Sequence, residues 1–465
     1  MIRLLILVLT VIILNGCGDT RPLIEQIKRN GELVVVTRYG PSTFYEAKGV
    51  FMGLEHDLVK QFAAELGVKV RFVIPETFEE VLSMVETGEA HFAAAGLTVT
   101  PGREPRIRFG PGYQQVYQQL IYHSGNKRPR SIDDTARGVL EVVSGSSHEE
   151  ALKNLKPDHP SLHWETQKEL DSSELLRLVK EKLIDFTIAD SNEVSLSRRF
   201  HPELKVALNI TKPQTLAWAF PHDQDTSLYD NAREFLEGFK ASGAMNQLIE
   251  RYYGYTERLG FVDTRNFRRH MAKRLPALQP LFEEAAGKTG LEWQMLAAIG
   301  YQESHWNPKA VSPTGVRGIM MLTQATAEQL GVKNRLDPRE SILGGARYIR
   351  IVEEKIPERI PEPDRLWLTL AGYNVGFGHL EDARILTQRK GGNPDTWCDV
   401  KRYLPLLSQE KYYKTLKRGF ARGREPVNYV DNIRGYYELL IWEQENAADF
   451  QPPPAKVLTT TPVSL

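Results

Sequence analysis

One carboxylate in the sequence continues an apolar helical face, within the stretch AAIGYQESHWNPKAVSPTGVRGIMMLT that starts at Ala297. Four residues fall at i, i+3, i+4 and i+7, the spacing of one side of a helix: Leu296, Ile299, Gly300 and Glu303. A carboxyl buried on such a face loses water, so its pKa rises and it holds a proton near neutral pH. That is the property of a general acid. The alternative is a solvated Glu at a helix end, because Pro308 disfavours helix at the residue before it.

Three segments follow one another along the chain, and the first of them begins at Glu303 itself: ESHWNPKAVSPTGVRGIMMLTQATAEQLGV, AGYNVGFGH and PVNYVDNI. Together they resemble the motifs of the lysozyme-like soluble lytic transglycosylase domain, over about Leu275 to Glu443. The resemblance implies that Glu303 is the catalytic residue. It also implies a set of substrate-binding or supporting residues: Ser304, Met320, Met321, Tyr373, Asn374 and Tyr429.

Two positions depart from the family pattern. Met321 stands where many relatives have Gln, so we expect a polar contact to be missing there. Gly372 is inserted between the usual Ala and Tyr, which we expect to alter the local turn. The supporting residues also have plainer interpretations: Tyr429 as a half-buried core aromatic, Asn374 as a turn residue and Ser304 as a helix-end residue.

The resemblance implies cleavage of the MurNAc–GlcNAc β-1,4 bond of peptidoglycan without hydrolysis, leaving a 1,6-anhydro end. A single carboxyl suffices when the substrate's own acetamido oxygen assists at C1. Two alternatives remain, a lysozyme-type hydrolase and a non-catalytic receptor or sensor that holds cell wall. We expect one or two of six aromatics to stack on sugar rings and the others to be core: Tyr301, Trp306, Tyr373, Phe377, Tyr412 and Tyr413.

The first half of the chain alternates short β-rich runs with helical segments, as in ELVVVTR followed by GLEHDLVKQFAAELG. The alternation recurs after about Gly138, with GVLEVVSGSS and then HEEALKNLK. Such alternation predicts βαβ units on largely parallel sheets, here in two α/β lobes with a cleft between them.

From about Phe267 the apolar residues repeat with a helical period, which predicts a mostly helical domain. The predicted organisation is therefore a signal peptide (1–17), a two-lobed α/β domain (18–266), a helical domain (267–447) and a tail (448–465). The tail contains QPPPAKVLTTTPVSL, with little to bury, and is predicted to be disordered.

The segment GLTVTPGREPRIRFGPGY resembles the corresponding segment of the family 3 solute-binding proteins, which bind amino acids, and this resemblance spans about Leu33 to Tyr253. It implies a periplasmic-binding-protein-like fold in which Thr98 and Arg103 clamp a ligand carboxylate. It also implies that Ser146 lies at a helix N-terminus facing the ligand, and that Asp190 receives the ammonium group. A surface position for Arg103 is the alternative. The ligand we expect is an amino acid or a muropeptide, and we expect it to regulate access to the glycan site.

The N-terminus has one basic residue, Arg3, and an apolar run that is short for a membrane span, as in a secretory signal. Leu-Asn-Gly-Cys, ending at Cys17, resembles the bacterial lipobox and predicts a lipid anchor there, with simple cleavage as the alternative. Gly18 after the Cys suits outer-membrane sorting, so we expect the periplasmic face of the outer membrane. Cys398 is the other cysteine, so no disulfide framework is expected.

The composition adds three exclusions. The chain of 465 residues has 59 basic and 59 acidic residues, so it lacks the overall positive charge that would indicate a nucleic-acid-binding protein. No HExxH motif, Cys pair or Asp/His cluster predicts a metal, and nothing indicates a cofactor. The expected partners are therefore peptidoglycan glycan strands, a small ligand in the first half and the outer membrane.

Overall fold

The computed structural model describes residues 21–47, 50–254 and 261–449. Two compact units are present, Met1–Tyr252 and Tyr253–Leu465. The predicted signal peptide with Cys17, and positions 450–465 of the predicted tail, lie outside the described residues. The predicted boundary at 266/267 falls inside the helix Phe261–Lys273, and the four-segment division stays a prediction.

The strands of the first unit are β1 (Glu32–Val36), β2 (Tyr45–Ala47), β3 (Val50–Met52), β4 (Lys69–Val73), β5 (Phe92–Ala93), β6 (Ile107–Phe109), β7 (Gln114–Val116), β8 (Gln118–His123), β9 (Leu140–Val143), β10 (Glu165–Gln167), β11 (Phe186–Asp190), β12 (Leu204–Asn209), β13 (Gln214–Leu216) and β14 (Ala219–Pro221). Its helices are α1 (Leu23–Asn30), α2 (Leu54–Leu66), α3 (Phe78–Glu86), α4 (Ser147–Leu155), α5 (Ser172–Glu181), α6 (Ser191–Phe200), α7 (Ser227–Ala241) and α8 (Ala244–Tyr253), with a 3₁₀ turn at Ile132–Arg137.

The strands form two five-stranded sheets, ordered β4-β1-β5-β14-β6 and β10-β9-β11-β8-β12. In each sheet the first three strands are parallel, as the βαβ pattern predicts, with Glu32 paired to Lys69 in the first. One strand of each sheet, β14 in the first and β8 in the second, runs opposite to the other four, so both sheets are largely parallel, as expected. The reversed strands accompany the crossings between the lobes, because the chain leaves the first lobe after β6 and returns as β14, and the paired β7 and β13 form part of that crossing.

Each lobe buries apolar side chains on both faces of its sheet. In the first lobe, Val34 and Val36 pack with Val81 and Val85 of α3. In the second, neighbouring residues of β11 point to opposite faces, since Ile188 belongs to one core cluster and Ala189 to the other. The strands β9, β10 and β11 lead into the N-termini of α4, α5 and α6, which places those helix ends along one edge of the sheet.

The second unit is helical, as predicted. Its helices are α9 (Phe261–Lys273), α10 (Leu275–Thr289), α11 (Trp293–Ser304), α12 (Gln324–Leu330), α13 (Pro338–Glu353), α14 (Asp364–Val375), α15 (Phe377–Arg389), α16 (Trp397–Tyr403), α17 (Glu410–Tyr413) and α18 (Arg424–Asp449), with a 3₁₀ turn at Leu404–Ser408. The long apolar period after Leu275 is split into α10 and α11 because Gly290 adopts φ 69°. The helix α11 packs against α10 and α18.

Candidate active site and ligand pocket

The helix α11 is buried over Met295–Tyr301, and Glu303 lies in its last turn. Leu296 and Ile299 are fully buried on the predicted face. The helix ends at Ser304, before the position expected from Pro308, because His305 already has a left-handed backbone with φ 51°. Glu303 therefore lies at the edge of the core, on a helix whose residues from Met295 to Tyr301 are buried in that core.

The turn after α11 is anchored by Trp306, which also has a positive φ, 57°. Its ring is 1% exposed, its Nε1 donates to the carbonyl of Ala297 at 2.8 Å, and it packs on Tyr301 and Phe267. Two consecutive left-handed residues are costly unless packing enforces them. Tyr301 and Trp306, two of the six candidate sugar-stacking aromatics, are thus core residues that hold the end of α11.

Among the described residues, Glu303 has a hydroxyl beside it and no positive charge. The side chain is half-buried, and the Tyr429 hydroxyl donates to its Oε1 at 2.6 Å. Burial raises the pKa of Glu303 to about 7, and the Tyr429 hydrogen bond opposes this by a smaller amount. Within the described part of the chain Glu303 forms no ion pair that would keep it charged. A sizeable fraction of this carboxyl therefore carries a proton at neutral pH.

A second tyrosine extends the contact. Tyr373 of α14 stacks on Tyr429 of α18 with ring centroids 6.4 Å apart, and its hydroxyl donates to the carbonyl of Met320 at 3.0 Å. Burial, followed by the charge of Glu303, raises the pKa of both tyrosines well above the usual value. Both hydroxyls therefore stay protonated and act as donors.

The segment around Met320 is a tight turn held against α13. Met320 is fully buried, and its amide donates to Ser341 Oγ at 3.2 Å. Gly318 has φ 84°, and a Cβ there would lie 1.8 Å from the carbonyl oxygen of Arg335. Met321, half-buried with φ 48°, follows at the surface. Met320 thus supports the site through its backbone, while its side chain is core.

Ser304 and Asn374 occupy different environments. Ser304 Oγ donates to the carbonyls of Gly300, at 3.1 Å, or Ile319, at 2.9 Å, and accepts from the Asn307 amide. It therefore ties the end of α11 to the Met320 turn. Asn374 is exposed in the last turn of α14, next to Tyr373.

The inserted Gly372 does not alter a turn, contrary to the sequence-based expectation. It lies inside α14, where a Cβ would be 3.1 Å from atoms of Leu380 and Val352. The glycine therefore serves close packing between helices.

The first unit contains a cavity that is partly open to solvent and lined by both lobes. Its walls include all four residues predicted to hold a ligand: Thr98, Arg103, Ser146 and Asp190. The sequence-based prediction did not include several further charged or titratable residues in the wall, among them Arg38, His148 and Asp171. The position of Arg38 offers a signal for its role, because it follows the buried strand β1 at the carboxyl edge of the sheet.

Arg103 is buried, with 5% of its surface exposed, and is not a surface residue. Its guanidinium donates to the carbonyls of Thr98, at 3.3 Å, and Gly145, at 3.2 Å, and lies over the Phe78 ring. Burial lowers the pKa of Arg103 to about 10, which leaves it charged at neutral pH. The Thr98 hydroxyl is buried and has no hydrogen-bond partner within the described residues. The Arg103 guanidinium and the Thr98 hydroxyl are therefore two hydrogen-bond donors at one wall of the cavity.

The second lobe supplies groups of opposite character. Ser146 caps α4, accepting from the Glu149 amide at 3.3 Å and donating to the Val143 carbonyl at 2.6 Å. Asp190, at the end of β11, lies 3.3 Å from Nε2 of His148. The cavity therefore offers a helix N-terminus and a carboxylate across from Arg103.

Polar contacts link the two lobes around the cavity. The Arg38 guanidinium pairs with Glu193. Ser144 Oγ donates to Glu79 at 2.7 Å, and the Thr100 hydroxyl donates to Glu150 at 2.9 Å. Because every one of these contacts joins a first-lobe residue to a second-lobe residue, the first unit has the closed arrangement of its lobes.

Within residues 21–47, 50–254 and 261–449, no cluster of three or more His, Cys, Asp or Glu has the arrangement to hold a metal ion. A search of the same residues for a helix long and apolar enough to span a bilayer finds none.

Two family patterns match the chain. Residues 32–255 match the bacterial extracellular solute-binding proteins, family 3, and residues 280–395 match the transglycosylase SLT domain. The predicted fold class, a periplasmic-binding-protein-like domain followed by a lysozyme-like one, is confirmed. Tyr429 lies beyond the second matched range, so the contact with Glu303 is what connects it to the site.

The similarity to other proteins extends over nearly the whole chain. The membrane-bound lytic murein transglycosylase F of Saccharophagus degradans is 48% identical, over 90% of this chain and 84% of that protein. The protein of the same name from Methylobacillus flagellatus is 43% identical, over 94% of each chain. Among solved structures, a mutant of ArgBP from T. maritima covers 50% of this chain and 99% of its own, at 21% identity and a TM-score of 0.46.

Proposed function

The chain belongs to the membrane-bound lytic murein transglycosylase F family, and we propose that its helical unit cuts the MurNAc–GlcNAc β-1,4 bond of murein without adding water. The observation that carries this proposal is Glu303, a carboxyl with a pKa of about 7 beside a tyrosine hydroxyl and, among the described residues, no cation. Such a group can both give and accept a proton near neutral pH, as the two halves of the reaction require.

In the first step the Glu303 carboxylic acid gives its proton to the glycosidic oxygen. The bond from that oxygen to C1 of MurNAc breaks, and the acetamido oxygen of the same sugar bonds to C1. In the second step the Glu303 carboxylate takes the proton of the C6 hydroxyl. The C6 oxygen then displaces the acetamido oxygen at C1, which closes the 1,6-anhydro ring and restores the acid.

The neighbouring residues take supporting roles in this scheme. Tyr429 orients the carboxylate and stabilises its charged form between the two steps. Tyr373 holds Tyr429 and the Met320 turn, and Ser304 ties that turn to α11. Asn374, exposed beside Tyr373, and Met321, at the end of the turn, are placed to touch the glycan.

Mass spectrometry of murein fragments tests this activity. Purified sacculi digested by the full chain should yield fragments lighter by one water than those from a lysozyme, because the ring closes internally. The Glu303→Gln protein provides the blank. Fragments that carry the added water would instead establish the hydrolase alternative.

For the first unit we propose an amino acid or a muropeptide as ligand. Arg103 and the Thr98 hydroxyl would bind its α-carboxylate, and Asp190 its ammonium group. The N-terminus of α4, capped by Ser146, would add backbone donors. Calorimetry with the twenty amino acids and a set of muropeptides identifies the ligand. If every compound gave only its heat of dilution, none would bind, and this proposal would be excluded.

We further propose that this ligand changes the rate at Glu303. The closed lobes of the first unit and the open cleft that admits a ligand are two states a ligand could bias. The ligand found by calorimetry should therefore alter the rate of murein clearing by the full chain. A rate that is flat across the titration, with binding confirmed in parallel, would remove the regulatory role.

We place the protein at the periplasmic face of the outer membrane, anchored by an acyl chain on Cys17 or bound peripherally. The names of its relatives describe membrane-bound proteins, which supports membrane association. Expression with a clickable fatty acid, comparing the wild type with Cys17→Ala, tests the anchor. Label on the wild type alone supports it, and label on neither protein leaves peripheral binding.

A further inference from the structure

Basic residues are concentrated in the helical unit between positions 389 and 425, although the whole chain has no net charge. This stretch holds ten Lys or Arg and four Asp or Glu, a formal charge of +6. Eight of its exposed basic residues lie at the end of α15, on and just after α17, and in the loop that leads to the first residue of α18. We call them the basic strip: Arg389, Lys390, Lys411, Lys414, Lys417, Arg418, Arg422 and Arg424. A patch of one sign on a neutral chain points to an anionic partner.

The strip is a fixed surface, because its loop is fastened to α15. The amides of Lys417 and Arg418 donate to the buried Asp382, at 3.3 and 2.7 Å. The Arg389 guanidinium donates to the Thr415 carbonyl at 3.3 Å. These bonds hold the two parts of the strip side by side.

Most of the strip is available to a partner. Lys414 pairs with Glu410 and Arg422 with Glu425, whereas the other six have no carboxylate partner within the described residues. The ammonium groups of Lys390 and Lys411 both lie near the Tyr412 ring, 5.1 and 4.8 Å from its centroid. One aromatic ring thus gathers two positive charges at a single place.

The strip adjoins the elements that carry the catalytic groups. Arg418 packs against Gly378 in the first turn of α15, where a Cβ would lie 2.7 Å from its Nε. That turn follows directly after α14, which carries Tyr373 and Asn374. At its other end the strip enters α18, which carries Tyr429. A polymer seated at Glu303 would therefore have the strip along one side.

We propose that the basic strip binds the carboxylates of the peptides attached to a murein strand, so that the enzyme prefers peptide-bearing strands to bare glycan. This inference rests on the proposed cleavage at Glu303. Several separate cations, two of them ammonium groups beside Tyr412, suit carboxylates spaced along a peptide. A lipid surface fits less well, because Ile385 and Phe420 are isolated exposed apolar side chains and not an apolar face.

The test compares binding to two kinds of insoluble murein, intact sacculi and sacculi stripped of peptides by an amidase. Every protein carries Glu303→Gln, so that binding is measured without cleavage. The strip variant combines Lys411→Gln, Lys417→Gln and Arg418→Gln. The matched control removes three exposed charges elsewhere in the same unit: Lys273→Gln, Lys333→Gln and Arg347→Gln.

We expect the strip variant to bind intact sacculi about ten-fold more weakly, since three exposed charge contacts of about 0.5 kcal/mol each give that factor. Its binding to stripped sacculi should equal that of the control, and high salt should erase the preference of the parent protein. Equal thermal midpoints show that both variants fold.

Three results would overturn the proposal: equal binding of both sacculi by the parent protein, equal weakening of the strip variant on both, or no weakening on either. Binding to vesicles of phosphatidylglycerol and phosphatidylethanolamine is measured in parallel. If the strip variant bound more weakly to these vesicles alone, and not to sacculi, the strip would be a membrane-binding surface. Cleavage is assayed separately with the active chain. If the active chain produced no anhydro fragments while the strip variant still bound intact sacculi more weakly, the proposed activity would be wrong and the proposed binding surface would stand.

Discussion

In the helical unit Glu303 lies beside a hydroxyl group with no cation near it in the described part of the chain, whereas the buried charges of the α/β cleft have partners. There Arg38 pairs with Glu193, Asp190 lies beside His148, and Arg103 donates to two carbonyls. Burial without a counter-charge favours the neutral form of a group, while burial with one preserves the charge. The same chain thus combines a carboxyl whose pKa suits the proton transfer proposed for it with a cleft whose charges suit the ligand proposed there.

The largest expected effect comes from removing the proton that Glu303 carries. Glu303→Gln should reduce the rate of murein clearing by about 10³-fold, within the range of general acid–base catalysis. The change keeps the shape of the side chain, so circular dichroism should show an unaltered fold. Glu358→Gln, an exposed position of the same unit, is the control. If the Glu303→Gln protein cleared murein as fast as the control, Glu303 would not be the catalytic acid.

The next effect concerns the paired charges. Arg103→Leu should weaken binding of the ligand found by calorimetry by about 30- to 150-fold, because a charge-assisted hydrogen bond contributes about 2–3 kcal/mol. Arg106→Leu, in the same run of arginines but exposed, should change affinity little. Murein clearing without ligand should stay the same in both proteins. Similar affinities for the two variants would mean that Arg103 is not a ligand group.

A smaller effect tests the hydrogen bond that favours the charged form of Glu303. Tyr429→Phe removes this donor, so the pKa of Glu303 should rise above about 7 and the acid should stay protonated to higher pH. The alkaline limb of the pH–rate profile should therefore move upward by about one unit, since a hydrogen bond to a charge contributes about 1.5 kcal/mol. A purely structural role for Tyr429 would lower the rate at every pH and leave the limb in place, and a downward shift would reverse the sign argued here.

The smallest effect refines the picture of the cleft. Thr98→Val replaces a buried hydroxyl that has no partner within the described residues, so the thermal midpoint of the ligand-free protein should stay level or rise. Ligand affinity should fall by about five- to ten-fold, the contribution of about one hydrogen bond. Thr98→Ser should keep the affinity. If the Val variant bound as tightly as the wild type, the hydroxyl would have no part in recognition.

The sequence predicted the elements better than their ends. The period of Leu296, Ile299 and Glu303 correctly predicted that Glu303 lies on a helix that is buried on one face. It could not show that the helix stops at Ser304, because the left-handed turn after it is imposed by the packing of Trp306. The one reversed strand in each sheet, β14 or β8, was not predicted for a similar reason, since it depends on where the chain crosses between the lobes.

The candidate sites divide in the same way. A motif resemblance brought together residues distant in sequence, such as Glu303 and Tyr429, and the four cleft residues meet in one cavity as expected. Residues without a motif, such as Arg38 and His148, were missed because their partners are distant in sequence: Glu193 lies across the cleft from Arg38, and Asp190 lies beside His148 in the second lobe. Met320, predicted to bind or support the substrate, has a buried side chain and contacts Tyr373 through its carbonyl, and Trp306 is one of the candidate aromatics that lie in the core.

Gly318 has a consequence for anyone who randomises this enzyme. Its left-handed backbone and the carbonyl of Arg335, which lies where a Cβ would sit, exclude every other amino acid from the position. A saturation library selected for murein clearing should therefore return glycine alone at codon 318, while codon 358 tolerates many residues. The pair offers an internal calibration of how stringent such a selection is.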